Sequence, residues 1–93
     1  PDDISMLGGM TELNAKGYSI PDDISVAGYD GISMSRILRP VLTTLRQNSR
    51  ELGTKAVELL VNQIENPTTF TPVCETVKGF LQIGETVKPI EIN

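Results

Sequence analysis

One short run constrains this chain more than any other: Ile24-Ser25-Val26-Ala27-Gly28-Tyr29, mostly apolar and rich in β-branched residues, closed by Asp30-Gly31. Such a run suits a strand covered on both faces, as in a parallel sheet. Ahead of it lies Tyr18-Ser19-Ile20-Pro21-Asp22-Asp23, a loop whose proline no helix interior accepts. Ahead of the loop, residues 2–16 read as a helix. Asp2 or Asp3 can cap it, Ile4, Leu7, Met10 and Leu13 recur as one apolar stripe, and Gly17 follows Lys16 at its end. Helix, short loop and buried strand in that order make half of a βαβ unit, whose first strand would precede Pro1. The opening on Pro1 rather than Met agrees with a processed or fragmentary chain.

Beyond Gly31 the stretch to Pro40 reads as loop with room for one helical turn, and residues 41–45 form a second short extended segment. Asn48-Ser49-Arg50-Glu51 makes a capping box, with Glu51 reaching back to Asn48. The helix it starts spans 48–65, with Leu52, Ala56, Leu59, Leu60 and Ile64 at helical spacing and Val57 and Val61 widening the face; Asn66-Pro67 stops it. Its broad face packs on a sheet, a second subunit or another domain. Residues 76–83 alternate as a strand, with Val77, Leu81 and Ile83 on one face. The pentapeptide PDDIS occurs at 1–5 and again at 21–25, but helix follows the first copy and strand the second, so it is not a structural repeat.

The residue inventory narrows the chemistry. A 93-residue chain with 39% hydrophobic and 22% charged residues is globular and holds one compact domain at most. Histidine is absent, which removes the commonest general base and metal ligand. Cys74 is the single cysteine, so an intrachain disulfide and a multi-cysteine metal site are excluded. Its neighbours, Pro72, Val73 and Glu75, offer no base or cation, and an ordinary half-buried thiol is expected. Four aromatics and no Trp make a stacking platform for single-stranded nucleic acid a poor reading. All four arginines fall within residues 31–50, a window of charge +4 in a chain of net charge −4. No recognition-helix pattern accompanies them, and solvated or interface arginines are expected. No apolar run approaches a membrane span, and no basic-then-apolar leader opens the chain. The expectation is a non-enzyme with neither metal nor cofactor.

Asp30 is the most informative single residue. In open α/β sheets, ligands bind outside the carboxyl ends of the strands. A carboxylate placed there can accept hydrogen bonds from sugar hydroxyls or from the amines and ribose of a nucleoside. It can equally start a turn or cap the helical turn that follows.

Residues 17–66 closely resemble the C-terminal portion of the lac/galactose-repressor (LacI/GalR) family of bacterial transcription regulators. The resemblance rests on GYSIPDDISVAGYDG at 17–31, RPVLTTLRQ at 39–47, and the spacing of Leu52, Gly53, Ala56, Leu59 and Leu60; the helix at 2–16 is similar to that family's preceding helix. It implies an α/β fold of the type I periplasmic-binding-protein kind, a Rossmann-like three-layer α/β/α fragment of an effector-binding domain. In that fold two subdomains close around a small effector, a sugar or a nucleobase or nucleoside. By the resemblance Asp30 contacts the effector, Gln47 lines the cleft in some members, and Val41, Leu42, Thr43, Thr44 and Leu45 form a hinge strand. The helix from Asn48 then belongs to the other subdomain, near a homodimer interface. Many members carry a second Asp where this chain has Gly31, and an arginine-serine pair where Ile83-Gly84-Glu85-Thr86 stands. Operator DNA would be met only through a headpiece that these residues do not include, and the whole protein would be cytoplasmic. A periplasmic sugar-binding receptor of a transport system is the competing reading.

Overall fold

The computed structural model describes residues 2–91. Two compact units are formed, residues 2–47 with 80–91, and residues 48–79. No helix among the described residues is long and apolar enough to cross a membrane.

In the first unit, helix α1 spans Asp3–Ala15. Asp2 is its cap and accepts from the Ser5 N–H at 2.8 Å, the satisfaction of a first-turn amide that short carboxylates provide. Gly17, at φ 89°, turns the chain out, and the Tyr18 N–H closes the end on the Leu13 carbonyl. The inward face is not the expected stripe. Met10 is buried and Met6, Leu7 and Leu13 pack against it, but Ile4 is 72% exposed. The inward position of the first turn is held instead by Asp3, fully buried.

Strand β1 is Ala27–Asp30, β2 is Thr43–Arg46 and β3 is Phe80–Gln82; the sheet order is β1-β2-β3. β1 and β2 run parallel, joined through the short helix α2, Met34–Ile37; β2 and β3 run antiparallel. The parallel pairing and the helix against it give the α/β class expected. The first strand starts at Ala27 rather than Ile24, because Val26 is engaged elsewhere: its N–H donates to the Thr86 carbonyl and its carbonyl accepts from the Thr86 hydroxyl. The last strand keeps only three of the residues 76–83, since its partner β2 is four residues long and 76–79 belong to the other unit.

The buried apolar core is small: Met10, Val26 and the fully buried Leu42. Around it the inward positions are polar. Thr44, Thr86 and Ser35 are buried with their hydroxyls bonded. Gln82 Nε2 donates to the Leu42 carbonyl at 2.9 Å and to Ser35 Oγ at 3.2 Å. Tyr29, Leu45 and Leu81 lie in register across the three strands and are exposed. β1 is thus covered on one face among the described residues, and Leu81 and Ile83 are exposed, at 61% and 82%. Gly84 permits the close return of the chain after β3, where a Cβ would strike the Val41 carbonyl oxygen.

In the second unit, helix α3 spans Ser49–Glu65. Asn48 Oδ1 accepts from the Glu51 N–H at 3.1 Å, as a cap should; Glu51 reaches back to the Asn48 side-chain amide, at 3.2 Å, rather than to its backbone. Leu59 is half-buried, while Val57, Leu60, Val61 and Ile64 are exposed. Cys74, expected half-buried, is exposed, because it sits in a stretch with no regular structure to cover it.

Candidate functional site

The carboxyl end of β1 carries the one non-glycine residue at positive φ among the described residues. Asp30 has φ 125° and Gly31 φ 74°, two successive residues on the side of conformational space that favours glycine. At Gly31 the freedom is required twice over, since a Cβ there would also collide with the side chain and backbone of Arg46. Asp30 has no such exemption. An aspartate held at positive φ is strained, and the surrounding contacts must hold it there.

Those contacts come from β2 and from α1. Asp30 lies opposite Arg46 in the parallel register, and the Gln47 N–H extends the ladder by donating to the Asp30 carbonyl at 2.9 Å. The Gln47 side chain turns to the same partner, and its Nε2 donates to Asp30 Oδ1 at 2.5 Å. The structure therefore brings Asp30 and Gln47 into direct contact, both partly buried. The turn-capping role open to Asp30 is not what its side chain performs. Helix α2 begins after Ser33, with no side-chain cap, and the Gly31 and Ile32 amides are taken by Asp3.

Chemically, this is an acceptor carboxylate beside an amide that both donates and accepts, at the end of a parallel strand. The pair suits a ligand with several hydroxyls or amines. Among the described residues no three His, Cys, Asp or Glu side chains cluster as metal ligands. Arg36 and Arg39 bond back to carbonyls of their own segment, and Arg46 lies over the Phe80 ring, 4.9 Å from its centroid.

The segment Val41–Leu45 is stitched to its surroundings. Val41 exchanges hydrogen bonds with Glu85, Leu42 is core, the Thr43 N–H donates to Thr86 Oγ1, and the Thr44 hydroxyl donates to Asp3. β2 runs one residue beyond it, to Arg46, and the chain passes into the second unit at Asn48.

Asp3 is the residue behind the Asp30 turn that sequence reasoning did not place there. It was legible only as one of two capping candidates; that Asp2 takes the cap and Asp3 turns inward depends on what lies across the helix.

The parallel strand pair with its helix defines an α/β domain, and Asp30 and Gln47 lie at the strand ends where ligands bind in open α/β sheets. The comparisons specify it. Residues 1–87 match the periplasmic binding protein-like domain. The chain belongs to that family, in the form found as the effector-binding domain of LacI/GalR-family regulators. It is 44% identical over 89 residues to the HTH-type transcriptional repressor PurR of Mannheimia succiniciproducens, covering 96% of this chain and 26% of the relative. Among solved structures, a LacI family transcriptional regulator from Enterococcus faecalis V583 with bound ribose superposes with a TM-score of 0.87 at 29% identity, over 97% of this chain and 33% of that one. A LacI family regulator from Arthrobacter sp. FB24, in complex with lactose, gives 0.76 at 33% identity, over 94% and 33%. The chain thus spans about a quarter of the length of the curated relative and a third of the solved chains.

Proposed function

We propose that this chain is part of the effector-binding domain of a bacterial, ligand-responsive transcription repressor, and that Asp30 and Gln47 contact the effector. The observation that carries the reading is the strained Asp30 at the end of β1, its carboxylate held against the Gln47 amide. Strain of this kind persists only where surrounding contacts hold it, and it clusters at ligand sites. The carboxylate and amide suit a polyhydroxylated ligand, a sugar or a nucleoside, and the ribose- and lactose-bound regulators support the same class. In the whole protein, a cytoplasmic homodimer, effector occupancy would shift the balance between two conformations and so change operator affinity. Val41–Leu45 would serve as the strand that transmits the shift. Operator contact would come from another part of the protein, because these residues carry a net charge of −4 and no recognition-helix pattern. The regulators compared above favour this reading over a transport receptor.

The test is calorimetric titration of the full-length protein with ribose, lactose and guanosine, repeated on Asp30→Asn. The substitution is expected to weaken binding by about 1–3 kcal/mol, the value of a hydrogen-bonding partner that carries charge. Unchanged affinity removes Asp30 from the site. Retardation of an operator fragment by residues 1–93 alone, at physiological salt, would overturn the assignment of DNA contact elsewhere.

A further inference from the structure

Asp3 is the one buried charged side chain among the described residues, with no exposed surface. Both carboxylate oxygens are engaged. Oδ2 accepts from the Gly31 N–H and the Ile32 N–H, each at 2.9 Å, and Oδ1 accepts from the Thr44 hydroxyl at 2.6 Å. The fold makes room for this group: a Cβ on Gly28 would collide with Asp3 Oδ1. Burying a carboxylate is costly unless it is fully hydrogen-bonded. A helix start does not need the arrangement either, because Asp2 already caps α1.

The three partners say what it holds. Gly31 and Ile32 are the two residues directly after Asp30, and their amides fix the turn in which Asp30 and Gly31 stand at positive φ. Thr44 lies on β2, the strand that leads to Gln47. One carboxylate therefore ties together the two strand ends that carry the proposed ligand contacts. We propose that Asp3 is a positioning residue for the effector site, holding the 30–32 turn in the conformation that presents the Asp30 carboxylate. The inference rests on the reading of Asp30 as an effector contact.

The experiment uses the full-length protein, Asp3→Asn, Asp30→Asn and the double variant, each titrated by calorimetry with ribose, lactose and guanosine. Asparagine keeps the shape of Asp3 but replaces one acceptor oxygen with a donor, so either the two amides or the Thr44 hydroxyl loses its present bond. Asp3→Asn is expected to weaken binding about tenfold, and the double variant to bind within about twofold of Asp30→Asn alone, the non-additivity of residues that act as a unit. Amide hydrogen exchange supplies a ligand-free readout. Gly31 and Ile32 should exchange at least about tenfold faster in Asp3→Asn while the Met10 and Leu13 amides within α1 keep their rates. Should Asp3→Asn fail to fold, Thr44→Val releases one oxygen of the same carboxylate. It is then expected to cost about threefold in affinity, an effect absent in the Asp30→Asn background.

The outcomes separate. No binding by the parent protein, or no loss in Asp30→Asn, overturns the site and this proposal with it. A loss in Asp30→Asn with none in Asp3→Asn, or in Thr44→Val where that variant stands in, overturns the positioning role alone. Losses that multiply in the double variant also overturn it, leaving Asp3 a purely structural residue.

Discussion

The two PDDIS segments carry identical residues to different ends. In the first, Asp2 caps α1 and Asp3 is buried beneath three donors; Pro1 lies outside the described residues. In the second, Asp22 and Asp23 are exposed in a turn, and Asp23 accepts from the Ser19 N–H at 2.7 Å, within its own loop. The isoleucines diverge as well: Ile4 is 72% exposed and Ile24 42%. Ser25, in the second copy, accepts from the Lys88 N–H at 3.1 Å, far along the chain. Local propensity settles only that such a segment begins something, because aspartates suit a helix start and a turn alike. The residues that follow choose between them. Met6-Leu7 to Met10 continues at helical spacing, whereas Val26-Ala27-Gly28-Tyr29 continues as extended chain. What each aspartate is worth is then set by its distant partners.

That contrast can be broken or sharpened by substitution. The largest effect is expected at the buried member. Asp3→Ala leaves the partly buried Gly31 and Ile32 amides without their partner. It should destabilise the full-length protein in urea unfolding by about 1–3 kcal/mol for each donor left unsatisfied. Next comes Gly28→Ala, whose methyl meets Asp3 Oδ1 and the Leu42 side chain. Overpacking of this kind costs about 1–3 kcal/mol by the same measurement, and the crystal structure of the variant should show Asp3 displaced. Asp23→Ala, the counterpart of Asp3→Ala, removes one exposed local bond and should cost about 1 kcal/mol or less. Equal losses at Asp3 and Asp23 would dissolve the comparison.

The smallest effect concerns pH. The Ser5 backbone N–H donates to Asp2 and holds its carboxyl below the ordinary value. A carboxyl whose pKa is lower in the folded state stabilises it at neutral pH. That contribution fades as the pH falls through the carboxylate range and is gone once the group is protonated in both states. The difference in urea midpoint between the parent protein and Asp2→Ala should therefore narrow below roughly pH 4.

The second unit gives a different lesson about legibility. Helix α3 could be read to within a residue, because Asn48 with Glu51 and Asn66-Pro67 mark its ends through local chemistry. Its packing could not be read that way. An apolar face at 3.6-residue spacing says that something covers it, not what, and Val57, Leu60, Val61 and Ile64 are exposed here. In the first unit the difficulty was reversed. The boundaries of β1 and β3 slipped by several residues, since pairing with Thr86 and the short length of β2 set them. Asp30, however, was legible as a candidate site residue from its place at the end of a strand and from the resemblance.

The sequence by itself determined the order of elements, the caps of the second long helix, the α/β class and the position of Asp30 at a strand end. Each rests on interactions within a few residues or on a periodic pattern. Tertiary structure alone decided that Asp30 meets Gln47, 17 residues away, that it stands at positive φ, and that Asp3 rather than Asp2 turns inward to grip the turn behind it. It also decided that polar residues face the core of the sheet while Tyr29, Leu45 and Leu81 face outward. The reason is one of range. A hydrogen bond across 28 to 41 residues leaves no periodic trace in the sequence, and a buried carboxylate is favourable only where folding has gathered enough donors around it.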